Sequence, residues 1–130
     1  MYFTYAQVIH DQNNECFGPA VIDKDGNKTH VYNDITEINN KIHKNGKLFL
    51  ELKHKGVVFF SKDFEKFSTI QPDFKIDTDE ILVGVFDYDG KTYLYPVNLS
   101  LTKEKEFNLT KGDKTLRVKL NAGEGDLIEI

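Results

Sequence analysis

Ile81-Leu82-Val83-Gly84-Val85-Phe86, then Asp87-Tyr88-Asp89-Gly90, then Lys91-Thr92-Tyr93-Leu94-Tyr95-Pro96-Val97 is the stretch on which the fold turns. Both flanks are rich in β-branched and aromatic residues, which suit a pleated, half-buried surface. Asp-Gly between two such runs is a strong hairpin signal, because a two-residue turn demands positive φ, which these residues tolerate. The same pattern recurs on either side. Leu48, Leu50 and Leu52 alternate with Phe49, Glu51 and Lys53, which predicts a half-buried strand. Gly56 interrupts, and Val57-Val58-Phe59-Phe60 gives a short apolar strand. Residues 61–78 are irregular, anchored by Phe64, Phe67, Ile70 and Phe74 around Pro72. Residues 105–109 and 114–120 alternate again and join through Lys111-Gly112-Asp113. Asn121-Ala122-Gly123-Glu124-Gly125 turns into a last strand over 126–130. About six strands at short spacing, separated by turn signals, predict an antiparallel β-sandwich over 48–130.

Residues 1–47 read differently. Residues 2–9 are aromatic and β-branched with nearly continuous apolar character, which predicts a strand buried on both faces. Residues 10–18 are polar and loop-like. Pro19-Ala20-Val21-Ile22 leads into Asp23-Lys24-Asp25-Gly26-Asn27, a turn whose Gly accepts positive φ. The spacing predicts a helix over 32–45. Asn33 or Asp34 can cap its start, and Glu37 follows Asp34 at capping-box spacing. Ile35, Ile38 and Ile42 form one narrow apolar stripe. Lys41, His43 and Lys44 suit a helix C-terminus, and Asn45-Gly46 supplies a left-handed stop. The expected fold is therefore mainly β: an antiparallel β-sandwich with one N-terminal α-helix and an N-terminal strand extension. The expected division is 1–47 for the strand, loop and helix, and 48–130 for the sandwich.

Composition narrows the class. The 130 residues are 39% hydrophobic and 29% charged, which is a globular rather than a disordered balance. No apolar run approaches the length of a membrane-spanning helix. The start carries no basic segment and breaks at His10-Asp11, so it reads poorly as a signal peptide. A lone Cys16 excludes a disulfide framework within the chain and a cysteine-based zinc site. The formal charge is −4, and Arg117 is the only Arg. The densest basic stretch, 41–55, reads as a solvated face, so neither nucleic acid nor a membrane surface is an expected partner.

Few residues nominate chemistry. His10, His30, His43 and His54 share no local metal spacing. Counted from Asp23, a calcium loop would need Gly and Glu where Lys28 and Asp34 stand, so the turn reading prevails. Cys16 lies beside Glu15, which opposes the positive surroundings a nucleophilic thiolate needs. Gly123-Glu124-Gly125 lacks the strand–helix setting of a phosphate loop. Three glycosylation sequons begin at Asn27, Asn98 and Asn108; the match is common by chance and carries no weight here. No catalytic residue, metal or cofactor is assigned. Tyr88, Tyr93 and Tyr95 are the carbohydrate-contact candidates: Tyr93 and Tyr95 share a strand face, and Tyr88 sits at the hairpin tip. The competing reading is that strand tyrosines pack across the sheet with their hydroxyls at its rim.

In order along the chain stand Tyr2-Phe3-Thr4-Tyr5, Gly18-Pro19-Ala20-Val21-Ile22-Asp23-Lys24-Asp25-Gly26, Glu37-Ile38-Asn39, the central hairpin at 82–98 and Gly123-Glu124-Gly125 before the final strand. This order resembles the C-terminal end of a TIM-barrel glycoside hydrolase of the β-galactosidase-like kind. The resemblance implies a last barrel strand and helix followed by a small β-sandwich. It places the catalytic glutamates on earlier barrel strands, before Met1, so the family's own pair of carboxylates is missing from this chain. Ala6 and Gln7 stand where such chains often carry a Trp, which removes a sugar-stacking platform there.

The expected function is a non-catalytic accessory sandwich with a stabilising role. Its expected partners are a catalytic TIM-barrel domain or a second copy of the chain paired through residues 1–9. Two other functions fit the same residues: a stand-alone carbohydrate-binding module, and a partner-binding protein unrelated to sugars.

Overall fold

The computed structural model describes residues 20–130. The expected strand over 1–9, its pairing with a second copy, the loop over 10–18 and Cys16 lie outside them. The chain divides into two compact units, Met1–Leu50 and Glu51–Ile130.

In the first unit, the Asp23 turn is built by one side chain. Asp23 Oδ1 accepts the backbone N–H groups of Asp25 and Asn27 at 2.9 and 2.8 Å, and Oδ2 accepts Asn27 Nδ2 at 3.1 Å. Gly26 takes φ 84 as the turn requires, and Ile22 bridges Lys28 across it. The carboxylate spends its acceptors on the loop's own donors, chiefly the Asn27 N–H, which hold its pKa below the ordinary value. Helix α1 then runs from His30 to Glu51. It starts earlier and ends later than its sequence signals. Asn33 and Asp34 lie inside it, and it passes through Asn45-Gly46. The expected strand at 48–52 forms its last turn instead. Lys47, Leu48, Leu50 and Glu51 are good helix formers, and one interior Gly costs only about 1 kcal/mol. Phe49 also falls seven residues after Ile42, so the apolar stripe continues past the Gly.

The second unit is two antiparallel sheets. Strands β1 (Lys53–Phe60), β3 (Ile81–Tyr88), β4 (Lys91–Asn98) and β7 (Ile128–Glu129) form one, in the order β1-β3-β4-β7. Strands β2 (Lys75–Ile76), β5 (Lys105–Lys111) and β6 (Lys114–Leu120) form the other, in the order β2-β5-β6. The β3–β4 hairpin turns at Asp89 and Gly90, with φ 51 and 73. Both positive values define a type I′ turn, whose twist matches that of the strands. The β5–β6 hairpin turns through Gly112, at φ 57.

Val58, Ile81, Val83, Val85 and Leu94 from the first sheet meet Phe107, Leu109, Val118 and Leu120 from the second, with Phe74 between them. Ile81, Val83, Leu94 and Leu109 are fully buried. The mainly-β, sandwich-like fold expected from the sequence is therefore the fold observed. Gly56 does not interrupt β1. It sits at a bulge in the β1–β3 register, where a Cβ would come within 2.6 Å of the Ile70 side chain. At the outer edge of β1, Val57 N–H donates to Thr69 Oγ1 and Phe59 N–H to Ser68 Oγ, each at 2.9 Å. On the far side, the last residues close over β4: Asn98 N–H donates to the Glu124 carbonyl and Ile130 N–H to that of Thr92.

Candidate functional site

The four-stranded sheet has two faces, and strand alternation sorts them. Val58, Ile81, Val83, Val85 and Leu94 face the core. The intervening residues form the second face, in three cross-strand rows. Phe59, Leu82 and Val97 make one; Val57, Gly84 and Tyr95 the next; His54, Phe86, Tyr93 and Glu129 the third. An antiparallel sheet with one face on a core is ordinarily polar on the other. Here the second face is apolar and aromatic, and Val57, Phe59, Leu82, Phe86, Tyr95 and Val97 are all half-buried. The His54 and Phe86 rings stack at 5.4 Å between centroids. A Cβ on Gly84 would come within 2.9 Å of the Phe86 ring, so the missing side chain makes room for that ring. Gly125 does the same for Tyr95, at 2.7 Å.

The three candidate tyrosines lie on this face, with Tyr88 extending the alternation at the end of β3. Their exposures differ. Tyr88 is 38% exposed, Tyr95 is half-buried and Tyr93 is buried at 8%. The Tyr93 hydroxyl donates to Glu129 Oε2 at 3.0 Å, and Lys91 Nζ pairs with Glu129 Oε1 at 2.8 Å. Burial and then the Glu129 bond push the Tyr93 hydroxyl above its usual pKa. The donations from Lys91 and Tyr93 hold Glu129 below the usual carboxylate value. A stacking platform for sugars needs ring faces open to solvent, and of these three tyrosines only Tyr88 is exposed.

Other carboxylates are held by cations or backbone donors. Arg117 Nε contacts Glu106 at 2.6 Å and lowers its pKa. Lys105, only 12% exposed, lies 3.1 Å from Asp79 and 2.9 Å from Glu80. Its burial works against its charge, yet the bonds to Glu80 and Asp79 raise its pKa. Asp77 accepts the Asn108 N–H at 2.7 Å and its side-chain amide at 2.8 Å, and its pKa falls for that reason. Asp77, Asp79 and Glu106 are each stabilised as an anion, a state suited to accepting hydrogen bonds. Among the described residues, no group of three or more His, Cys, Asp or Glu is placed to hold a metal ion. No helix is long and apolar enough to cross a membrane among those residues. The sequon residue Asn98 is 1% exposed, and its side-chain nitrogen is bonded to the carbonyls of Lys103 and Asn121 at 2.7 and 2.9 Å.

Sequence reading missed the extent of the apolar face. Its signal was present in Val57-Val58-Phe59-Phe60 and Ile81-Leu82-Val83, which are apolar on both parities. Glu129 could not be linked to Tyr93 without knowing that β7 pairs with β4. No protein-family model matches this chain, and no curated protein or solved structure matches it.

Proposed function

We propose that the chain is a non-catalytic accessory β-sandwich, similar to those of TIM-barrel glycoside hydrolases, which stabilises a second folded body by packing against it. One observation carries this reading: the second face of the four-stranded sheet is apolar where solvent contact would favour polar residues. Buried apolar area contributes roughly 25 cal/mol per Å² to such packing. The body proposed is a barrel domain of the hydrolase class that the sequence resembles. Ion pairing of Asp79, Glu80, Glu106 and Glu129 agrees with a structural rather than a proton-transferring role for those four.

The test is titration of the isotope-labelled chain with a separately produced β-galactosidase-type barrel lacking its own C-terminal domain. Amide resonances of Val57, Phe59, Leu82 and Val97 are expected to shift in a saturable way. No shift at these residues overturns the reading. A parallel titration with an oligosaccharide panel is expected to leave the amides of Tyr88, Tyr93 and Tyr95 unmoved. Saturable shifts there at millimolar sugar would make the chain a carbohydrate-binding module instead.

A further inference from the structure

Helix α1 is 22 residues long, and none of them is buried. Its apolar stripe nevertheless follows a regular pattern. Val31, Ile35, Ile38 and Ile42 are separated by four, three and four residues, the a/d spacing of a coiled-coil seam. Ile38 and Ile42 stand 52% and 53% exposed in the middle of that stripe. Two neighbouring isoleucines half open to water on one helix face suit an interface better than a solvated surface.

The flanking charges select the occupant. Asp34 and Lys41 each precede an a-position isoleucine by one residue, so both flank the seam on the same side. In an antiparallel helix pair, each such flank meets its own copy in the reverse direction, and a residues layer on d residues. Layering Ile35 on Ile38 of a second copy, and Val31 on Ile42, brings Asp34 of each chain to Lys41 of the other. A register one heptad further along would set Lys41 against Lys41 and layer Ile35 on Asn45. Charge therefore favours the first register and opposes the second. Lys41 also lies 3.6 Å from Glu37 within its own helix, an exposed contact that a second carboxylate can share. We propose that α1 is a self-association surface, pairing antiparallel with α1 of a second copy through Val31, Ile35, Ile38 and Ile42 and through reciprocal Asp34–Lys41 pairs. This inference does not depend on the accessory role assigned to the sandwich, which uses a different face.

One short helix pair buries less than the roughly 1,600 Å² of a standard interface, so the dimer is expected to be weak, with a dissociation constant on the order of tens of micromolar. Sedimentation equilibrium of the full chain across micromolar to millimolar concentrations measures it. Ile42→Asp is expected to weaken association at least tenfold while leaving the circular dichroism spectrum unchanged. Asp34→Lys and Lys41→Asp should each weaken it separately. Mixing those two variants should restore it, because the mixed pair sets lysines against aspartates at both flanks. A chain that stays monomeric throughout overturns the proposal. So does a dimer indifferent to Ile42→Asp, or one that the mixed charge variants fail to rebuild. Should Ile42→Asp unfold the chain, the mixing result decides alone, since both charge changes lie on the exposed surface.

Discussion

Asn98 Nδ2 lies 2.9 Å from the carbonyl oxygen of Asn121, so the last side chain of β4 holds the chain where it leaves β6. The same nitrogen donates to the Lys103 carbonyl at 2.7 Å, and Asn98 Oδ1 accepts the Ser100 N–H at 3.0 Å. One buried amide thus joins the two sheets and both loops at that end of the sandwich. Apart from the hydroxyl-bearing Tyr93, it is the only polar or charged side chain in the buried set of the described residues, and its bonds justify its burial.

Asn98→Ala should therefore destabilise the protein by about 2–4 kcal/mol, because truncation leaves buried backbone groups without partners. Asn98→Asp should cost at least as much, since a carboxylate cannot donate to carbonyls. Urea unfolding followed by tyrosine fluorescence measures both. A loss below 1 kcal/mol for the alanine variant would show that water replaces the amide.

Gly56 and Gly46 should respond to alanine with opposite signs. At Gly56 the new methyl would sit 2.6 Å from Ile70 Cγ2 and 2.7 Å from Thr69 Oγ1, so overpacking should cost about 1–3 kcal/mol. At Gly46, inside α1, the methyl meets nothing within 4 Å among the described residues beyond its own helix. Helix propensity then favours alanine by up to about 1 kcal/mol. Thermal melts of the two variants against wild type provide the comparison; the same sign for both would contradict it.

Acid should unfold the protein through its bonded carboxylates. Asp77 lies below 3.8, held mainly by the Asn108 N–H, while Glu106 and Glu129 lie below 4.5, held mainly by Arg117 and Lys91. In each case the folded state binds a proton less readily than the unfolded state. The stability they supply is complete above the unfolded values and is lost as pH falls through the lowered folded ones. Melting temperature should be flat from pH 7 to about 5 and fall below about pH 4. Asp77→Asn should flatten that acid limb; an unchanged slope would remove Asp77 from the account.

Tyr93 should ionise above the ordinary tyrosine value. Burial and the Glu129 bond raise its pKa above the ordinary 10.0. Stability tied to this hydroxyl is present below pH 10 and declines as pH rises through the folded value. Ultraviolet difference titration of wild type and Tyr93→Phe should show a tyrosine transition above pH 10.0 that the substitution removes. If the substitution leaves that transition in place, the hydroxyl is not shielded as described.

Much of the architecture was legible in the sequence because its signals are local. The Asp89-Gly90 turn needs two positive φ values, and the residues that tolerate them are written there. The alternation in 105–109 and 114–120 likewise needs no distant information. The helix ends were less legible. Asn33, Asp34 and Gly46 are acceptable in a helix interior, so a capping or stopping signal was outweighed by the stronger helix formers around it. Gly56 was read as a break because a missing side chain looks the same whether a strand ends or Ile70 occupies the space. The apolar second face was hidden for another reason. Alternation reports which residues share a face, but burial on both faces reads as a continuous run that only the cross-strand register divides. The Tyr93–Glu129 bond spans thirty-six residues and depends wholly on that pairing.

The hydroxyls of Ser68 and Thr69 have a consequence for solubility. They occupy the N–H groups of Phe59 and Val57 that another strand would need, and residues 124–130 occupy the corresponding edge of β4. Among the described residues, part of the outer edge of β1 and part of that of β4 are therefore already bonded and less open to a further strand. In the smaller sheet β6 is the longer of the two outer strands, the other being the two-residue β2. On β6, Arg117 is paired to Glu106 and Lys119 to Glu104, so a neighbouring strand would have to match or break those ion pairs before sheet extension from chain to chain could propagate.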